Sequence, residues 1–444
     1  MAKEFLNSIH ARYADWSNLN WADGEYQDFT KFDFARAEKE GIGAAQLEFR
    51  LKSMTKGVRI ERLSQMDENE GETIGSKLLS SPGLEPSPKQ DKLMAWHGAH
   101  AQDGFVIRVA AGVSAPLIYL RSVAAGHSAL HHTIILEDGA TAEVILEMIG
   151  GEEKKNEENS PARLPQSANT PARLHTDVSE AILGADAKLC FTTIQRYGEN
   201  DWAFGYHGHI LGKFAELTHV AGAFGAGVSR TRTLNQLSGG RAKANAYQLF
   251  FGRGSQFMDM ETHSHHMTAD TSGEMTCRGA LDGTASMVYR GRIHIERAAP
   301  NTISHQSGSA LLLSPDSAAN IIPSLQVDND QVEAGHGASV GALDEAEVNY
   351  LRSRGLDEQD ARLLILRGYF DELIGKIWGE SSRRYLSGLV GTRLPKMEEK
   401  RGKKEKKTAG ARRPSRRTKT RPLAVPGLEA RPSAHTGLIQ IADE

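Results

Sequence analysis

The feature that most constrains this chain is a recurring phrase in its middle: a turn residue, Ala three positions later, then a polar and an apolar residue. It occurs as Gly139-Ala142-Glu-Val, Gly184-Ala187-Lys-Leu, Gly212-Ala215-Glu-Leu and Gly239-Ala242-Lys-Ala, with Asp282-Ala285-Ser-Met and Asp316-Ala319-Asn-Ile as Asp variants. Ala187, Ala215 and Ala242 are 28 and 27 residues apart. A period in the twenties points to stacked coils, each too small to bury its apolar face alone and burying it on the next. After Ala242 the spacing becomes 43 and then 34, so a β-sandwich with coincident turns stays open as the alternative.

Strand signals dominate residues 93–340: FVIRV (105–109), HTIILE (132–137), AEVILEM (142–148), LCFTTIQ (189–195), SMVYRGRIHI (286–295) and AANIIPSLQV (318–327). They are rich in β-branched and aromatic residues with turn residues between them. The 44 glycines in 444 residues exceed the usual share of about 7% and favour a strand-and-turn body. Residues 1–92 read as a mixed, partly helical region, with a helix near Phe34–Leu51 and a Ser/Pro-rich boundary over Gly71–Asp91. After residue 340 the period turns helical, first over 343–355 and then over 356–378. Leu343, Val348, Tyr350, Leu351, Leu363, Leu366, Phe370 and Leu373 make an apolar face across 341–380 that could cover a sheet edge or bind a partner.

Two segments stand apart. Glu152–Arg173 is polar with three prolines and reads as a flexible insertion into the strand region. Residues 396–422 carry thirteen Lys/Arg against three Glu, a net of +10, so the rest of a chain of net −3 carries −13. A segment this charged cannot bury enough surface to offset its ordering entropy, so 396–444 is expected to be disordered. It has no aromatic residue on which a base could stack, which argues against specific nucleic-acid recognition.

No run of apolar residues approaches the length of a membrane span, and the first residues lack a secretion signal's apolar stretch. Two cysteines, Cys190 and Cys277, make no disulfide framework, so a reduced cytoplasmic setting is expected. No nucleophile elbow, phosphate loop or zinc-protease helix motif occurs, and GAFGAG (222–227) reads as turns. Two His-x-His pairs, His207/His209 and His263/His265, each put two imidazoles on one strand face. A metal would need a third ligand there, such as Glu274 or His294 for the second pair. A β-helix or cupin-like metalloenzyme using such a pair is therefore the alternative to a non-catalytic binding or assembly protein.

A resemblance then bears on that choice. YRGRIHIERAAPNTISHQSGSALLLSPDSAANIIPSLQV (289–327) and VEAGHGASVGALDEAEVNYLRSRG (332–355) resemble, in the same order, the strand, Leu-rich turn, Pro-x-Leu-x-Val and Ser-His-Gly-Ala-Thr phrases of the SufB/SufD family of iron–sulfur cluster assembly scaffolds. The resemblance covers about 255–378 best. It implies a mostly β chain with a right-handed parallel β-helix core, flanked by N-terminal mixed and C-terminal helical regions. It also implies a scaffold rather than an enzyme, in complex with a SufB-type subunit and a SufC-type ATPase, with a homodimer as a further possibility. The ATPase is expected on the C-terminal helices. No cofactor is expected to be tightly bound; iron or an iron–sulfur cluster would be held transiently in the complex. Where SufB-like members carry an essential Cys after the Gln, Ser307 follows Gln306, which places the chain on the SufD-like side. The SufD-like His corresponds to His336, the candidate iron ligand at the partner interface. Gly335, Ser339 and Ala334 depart from the family's Ser, Thr and frequent Cys.

Overall fold

The computed structural model describes residues 32–43, 45–51, 55–65, 92–150 and 172–393. The boundary segment 71–91, residues 152–171 of the insertion and the basic tail 396–444 lie outside the described residues. The body is a solenoid in which the chain alternates between two parallel sheets. The first contains β1 (Ala45–Leu51), β4 (Ile118–Ala124), β6 (Thr141–Gly150), β8 (Lys188–Arg196), β10 (Glu216–Ala223), β12 (Lys243–Gly252), β14 (Ser272–Leu281), β16 (Thr302–Leu312) and β18 (Val332–Ala342). The second contains β2 (Val58–Arg62), β3 (Phe105–Val109), β5 (Ser128–Leu136), β7 (Leu174–Leu183), β9 (Trp202–Leu211), β11 (Val228–Leu237), β13 (Phe257–His266), β15 (Ser286–Ile295) and β17 (Ala318–Val327). The sandwich alternative is thereby excluded.

The alanine phrase marks one seam of the coil. Lys188 pairs with Glu216 and Glu216 with Lys243, so the residues just before them, Ala187, Ala215 and Ala242, stack coil over coil. All three are fully buried, and each N–H donates to the glycine carbonyl three residues earlier, at 3.3, 3.1 and 3.2 Å. Beside them runs an apolar strip that includes Val144, Leu189, Phe191, Leu217 and Leu237.

Three members of the phrase are displaced. Thr141 pairs with Lys188, so Ala140 rather than Ala142 occupies the stacked position, its N–H bonded to the Glu137 carbonyl at 3.0 Å. Asp282–Ala285 belongs to the opposite seam, where the chain crosses from β14 to β15. The irregular step of 43 is therefore about one coil and a half of a solenoid whose local coil is 29 residues, Lys243 to Ser272. In the last member, Ser314–Ser317 forms the turn and Ala319 lies inside β17.

Helices flank both ends: α1 (Phe34–Glu40), α2 (Lys92–His100), α3 (Glu345–Ser353), α4 (Glu358–Ile374) and α5 (Glu380–Arg393). The expected helix near Phe34–Leu51 is half wrong. It stops at Gly41, which takes φ 74°, and the rest becomes β1, antiparallel to β4. Edge pairing outweighs a modest helical pattern there. β2 pairs antiparallel to β3, so antiparallel β1 and β2 are the sheet edges at the start, and β17 and β18 the parallel edges at the finish; none of the four has a further strand among the described residues. The reading of GAFGAG as turns holds for Gly225 and Gly227. They sit where consecutive crossings nearly touch, and a Cβ on either would run into the Tyr197 or Glu199 carbonyl.

Candidate functional site at the open end

The last coils set which side chains face inward. In β16, Thr302, Ser304, Gln306, Gly308 and Ala310 are buried while Ile303, His305 and Ser307 are exposed. Parallel register transfers that phase to β18, so Val332, Ala334, His336, Ala338 and Val340 occupy the inward row. On the other sheet Met287, Tyr289, Gly291, Ile293 and Ile295 pass the same phase to Ala319, Ile321, Pro323, Leu325 and Val327. Elsewhere in the solenoid a next coil buries this row. Here it meets solvent, leaving Val327 42% and Val340 44% exposed.

His336 is the imidazole of that inward row, exposed and in register with buried Gln306. Gln306 Nε2 donates to the Ser324 carbonyl at 3.1 Å, bridging the sheets under the open end. Its Oε1 has no protein partner and lies against Gly291, where no side chain would fit. Ser307 is on the opposite face of its sheet, its Oγ 3.1 Å from Thr276 Oγ1, so it and His336 do not converge within this chain. Ala334 shares the face of His336, and a thiol there would have been its neighbour; Gly335 leaves room over His305 on the outer face.

The C-terminal helices lie over the outer face of the first sheet. Leu343, Leu363, Leu366, Phe370 and Leu373 join Val220, Leu249 and Phe251 of the solenoid in one buried cluster, and Val348 is buried as well. Six of the eight side chains expected to bind a partner are therefore spent within the chain, because the outer face of β10 to β14 is itself apolar and must be covered. Tyr350 is 58% exposed and Leu351 half-buried; Leu364 and Trp378 add exposed apolar surface. Polar clamps fix the packing. Arg278 donates to the Tyr369 carbonyl at 3.0 Å and pairs with Glu372, and Tyr369 donates to Ser309 Oγ at 2.8 Å. Lys376 pairs with Glu274 on the first sheet, whereas His263 and His265 belong to the second, so that carboxylate is not brought to them as a third ligand.

α5 carries a weak sequence signal, because its two glycines and three serines dilute the helical pattern. It anchors through Glu147, a buried carboxylate that accepts from Tyr119 at 2.5 Å and also from Tyr385 and Arg196. Burial opposes ionisation of Glu147, but Arg196 and the two phenols outweigh it and hold its pKa below the usual range.

Neither His-x-His pair forms a metal centre. His207 and His209 face the lumen, joined by His219 of β10 at ring-centroid distances of 4.9 and 4.6 Å. Ser179 Oγ lies 2.6 Å from His207 Nδ1, and Asn235 Oδ1 2.9 Å from His209 Nδ1. Burial lowers the His207 and His209 pKa values to about 3 and about 4, keeping both rings neutral. His263 and His265 are on the outer face of the second sheet, and His294 does join them, but as a stack. Its ring is 4.5 Å from that of His265 and within 5° of parallel, so their in-plane lone pairs run side by side rather than converge. His266 points to the other face, as alternation requires, and bonds Ser304 across the lumen at 3.0 Å. Among the described residues no three His, Cys, Asp or Glu side chains are grouped to hold a metal ion. Cys190 and Cys277 are buried, with thiol pKa values raised by burial, that of Cys190 to about 12.

The geometry is that of a two-sheet parallel solenoid whose last described coil exposes an apolar inward row and the His336 imidazole. Residues 120–369 match the family described as SUF system FeS cluster assembly, SufBD core domain. The chain belongs to the SufBD family. It is 30% identical over 211 residues to an iron–sulfur cluster assembly SufBD family protein of Mycobacterium leprae, covering 46% of this chain and 54% of that one. Similar relatives are those of Mycobacterium tuberculosis, 28% over 224 residues (49% and 56%), and Staphylococcus aureus, 27% over 202 residues (46% and 43%). The chain thus spans about half the length of these relatives. No helix among the described residues is long and apolar enough to cross a membrane.

Proposed function

We propose that this chain is the SufD-like, non-catalytic subunit of a cytoplasmic iron–sulfur cluster assembly complex, joined through its open end to a SufB-type scaffold. The observation that carries the reading is His336. It is an exposed imidazole, set in the inward row of the last described coil, where a second solenoid end would meet it. A neutral imidazole is a borderline ligand for iron, and a thiolate from the partner would complete a mixed donor set. Ser307 in place of the family's Cys supports the SufD-like assignment, since this chain then supplies the nitrogen and not the sulfur. Iron or the nascent cluster is cargo here, held for the duration of assembly.

A SufC-type ATPase docks, in this reading, on the outer side of α3 and α4. The apolar face first expected to receive it is buried, so Tyr350, Leu351, Leu364 and Trp378 are the apolar contacts left to offer. The test is co-expression with SufB-type and SufC-type partners and measurement of iron in the purified complex. His336→Ala should leave the complex intact and lower its iron content and cluster yield. Unchanged iron and cluster yield in an intact complex would overturn the ligand role.

A further inference from the structure

The lumen is not dry in its chemistry. Between β7, β9 and β11 on one side and β8 and β10 on the other is a cavity lined by Asp177, Thr193, Gln195, Tyr197, Gly205 and His207. It offers about 20 Å³ to the centre of a water molecule, more than the roughly 10–15 Å³ one water needs. Gly205 and Thr231 face inward by register yet are only half-buried, because they border this space.

Two of the lining groups have an unmet polar atom: Asp177 Oδ1 and Gln195 Nε2 have no protein partner. Asp177 Oδ2 already accepts from Tyr197 at 2.5 Å, and Gln195 Oε1 from the Gly225 N–H at 2.8 Å, so both side chains are fixed with the free atom left over. Buried orphans of this kind cost about 1–3 kcal/mol each and are normally met by protein or ordered water. The same need recurs along the lumen at His209 Nε2, His219 Nδ1, Gln248 Oε1 and Gln306 Oε1.

We infer that the cavity is a specific binding site for an internal water molecule, held by Asp177 Oδ1, Gln195 Nε2 and the Thr193 hydroxyl. Gln195 donates to the water, which in turn hydrogen-bonds Asp177 and Thr193; three partners is the usual number for a buried water. The site is independent of iron binding at His336.

Gly205→Ala separates a wet site from an empty one by the sign of its effect. A Cβ there would lie 3.4 Å from His207 Nε2 and 3.8 Å from Thr231 Oγ1, ordinary contacts, so the methyl fits. If water is bound, the methyl displaces it, re-creates both orphans, and Tm falls by roughly 2–4 °C. If the cavity is empty, the methyl fills a void and removes glycine's unfolded-state entropy, and Tm rises; a rise or an unchanged Tm overturns the inference. Should the variant not fold, a high-resolution crystal structure of the unsubstituted protein decides. Density within hydrogen-bond distance of Asp177, Gln195 and Thr193 is expected; a void there, with other buried waters visible, overturns it.

Discussion

Burial pushes the carboxyl of Asp177 up to about 7 although the Tyr197 phenol bonds it. Unfolded, the same group titrates near 3.8. Between those values the folded chain keeps a proton that the unfolded chain has released, so this residue's contribution to stability is complete below about pH 4 and declines as pH rises to 7. The span corresponds to at most about 4 kcal/mol. Asp177→Asn should therefore flatten the pH dependence of urea unfolding between pH 4 and 7; an unchanged slope would show that Asp177 is ionised throughout. Little of this was legible beforehand. The pattern GYHGHI tells that His207 and His209 share a face, but not that the face is the lumen, because the outer side of β7 and β9 is also covered and hydrophobic alternation vanishes. His219 and Thr193 become their neighbours only through the coil register, Thr193 standing 14 residues from His207, half a coil away.

At the scale of elements, the strands were largely legible and the job of the helices was not. Gly/Asp-plus-Ala turns and Val/Ile/Thr runs announce a strand solenoid, and α3 and α4 show helical period. Their apolar stripe cannot say whether it meets a partner or the chain's own sheet. Phe370 shows which: fully buried beside Phe251 at 6.1 Å between ring centroids. Phe370→Ala should cost about 3–5 kcal/mol, read as a lower urea midpoint; a loss of ATPase binding with stability intact would reverse the assignment. Removing one partner of a buried charge network is expensive for the same reason, at about 3–5 kcal/mol. Glu147→Ala should thus loosen α5, visible as faster amide hydrogen exchange over 380–393, while exchange in β12 to β16 stays as before. Uniform exchange in α5 before and after the change would mean that its apolar contacts alone hold it.

For the molecule as a whole, buried imidazoles set the acid limit. His132, His207 and His266 have pKa values near 3 and His209 near 4, each lowered chiefly by burial. Below about 6.5 the unfolded chain takes up protons that these rings refuse, so their contribution is complete above that pH and is lost as pH falls towards 3. Four such groups outweigh the opposite trend of Asp177, and the urea midpoint should drop between pH 7 and 5; a midpoint that rises would contradict the neutral, buried lumen. The two ends of the solenoid differ in the direction of their edge strands. At the start the edges are antiparallel β1 and β2, with α2 packed on the outer face of β7 and β9, while the finish leaves two parallel edges and an apolar inward row with nothing stacked on it among the described residues. That exposed apolar row is the physical basis for reading the chain as half of an assembly. The most direct test is native mass spectrometry of the chain co-expressed with SufB-type and SufC-type partners, comparing the unsubstituted protein with Val327→Asp/Val340→Asp. The account predicts that carboxylates in the open row abolish the SufB-type contact and leave the SufC-type subunit bound. Retention of the SufB-type partner by the doubly substituted chain would contradict it.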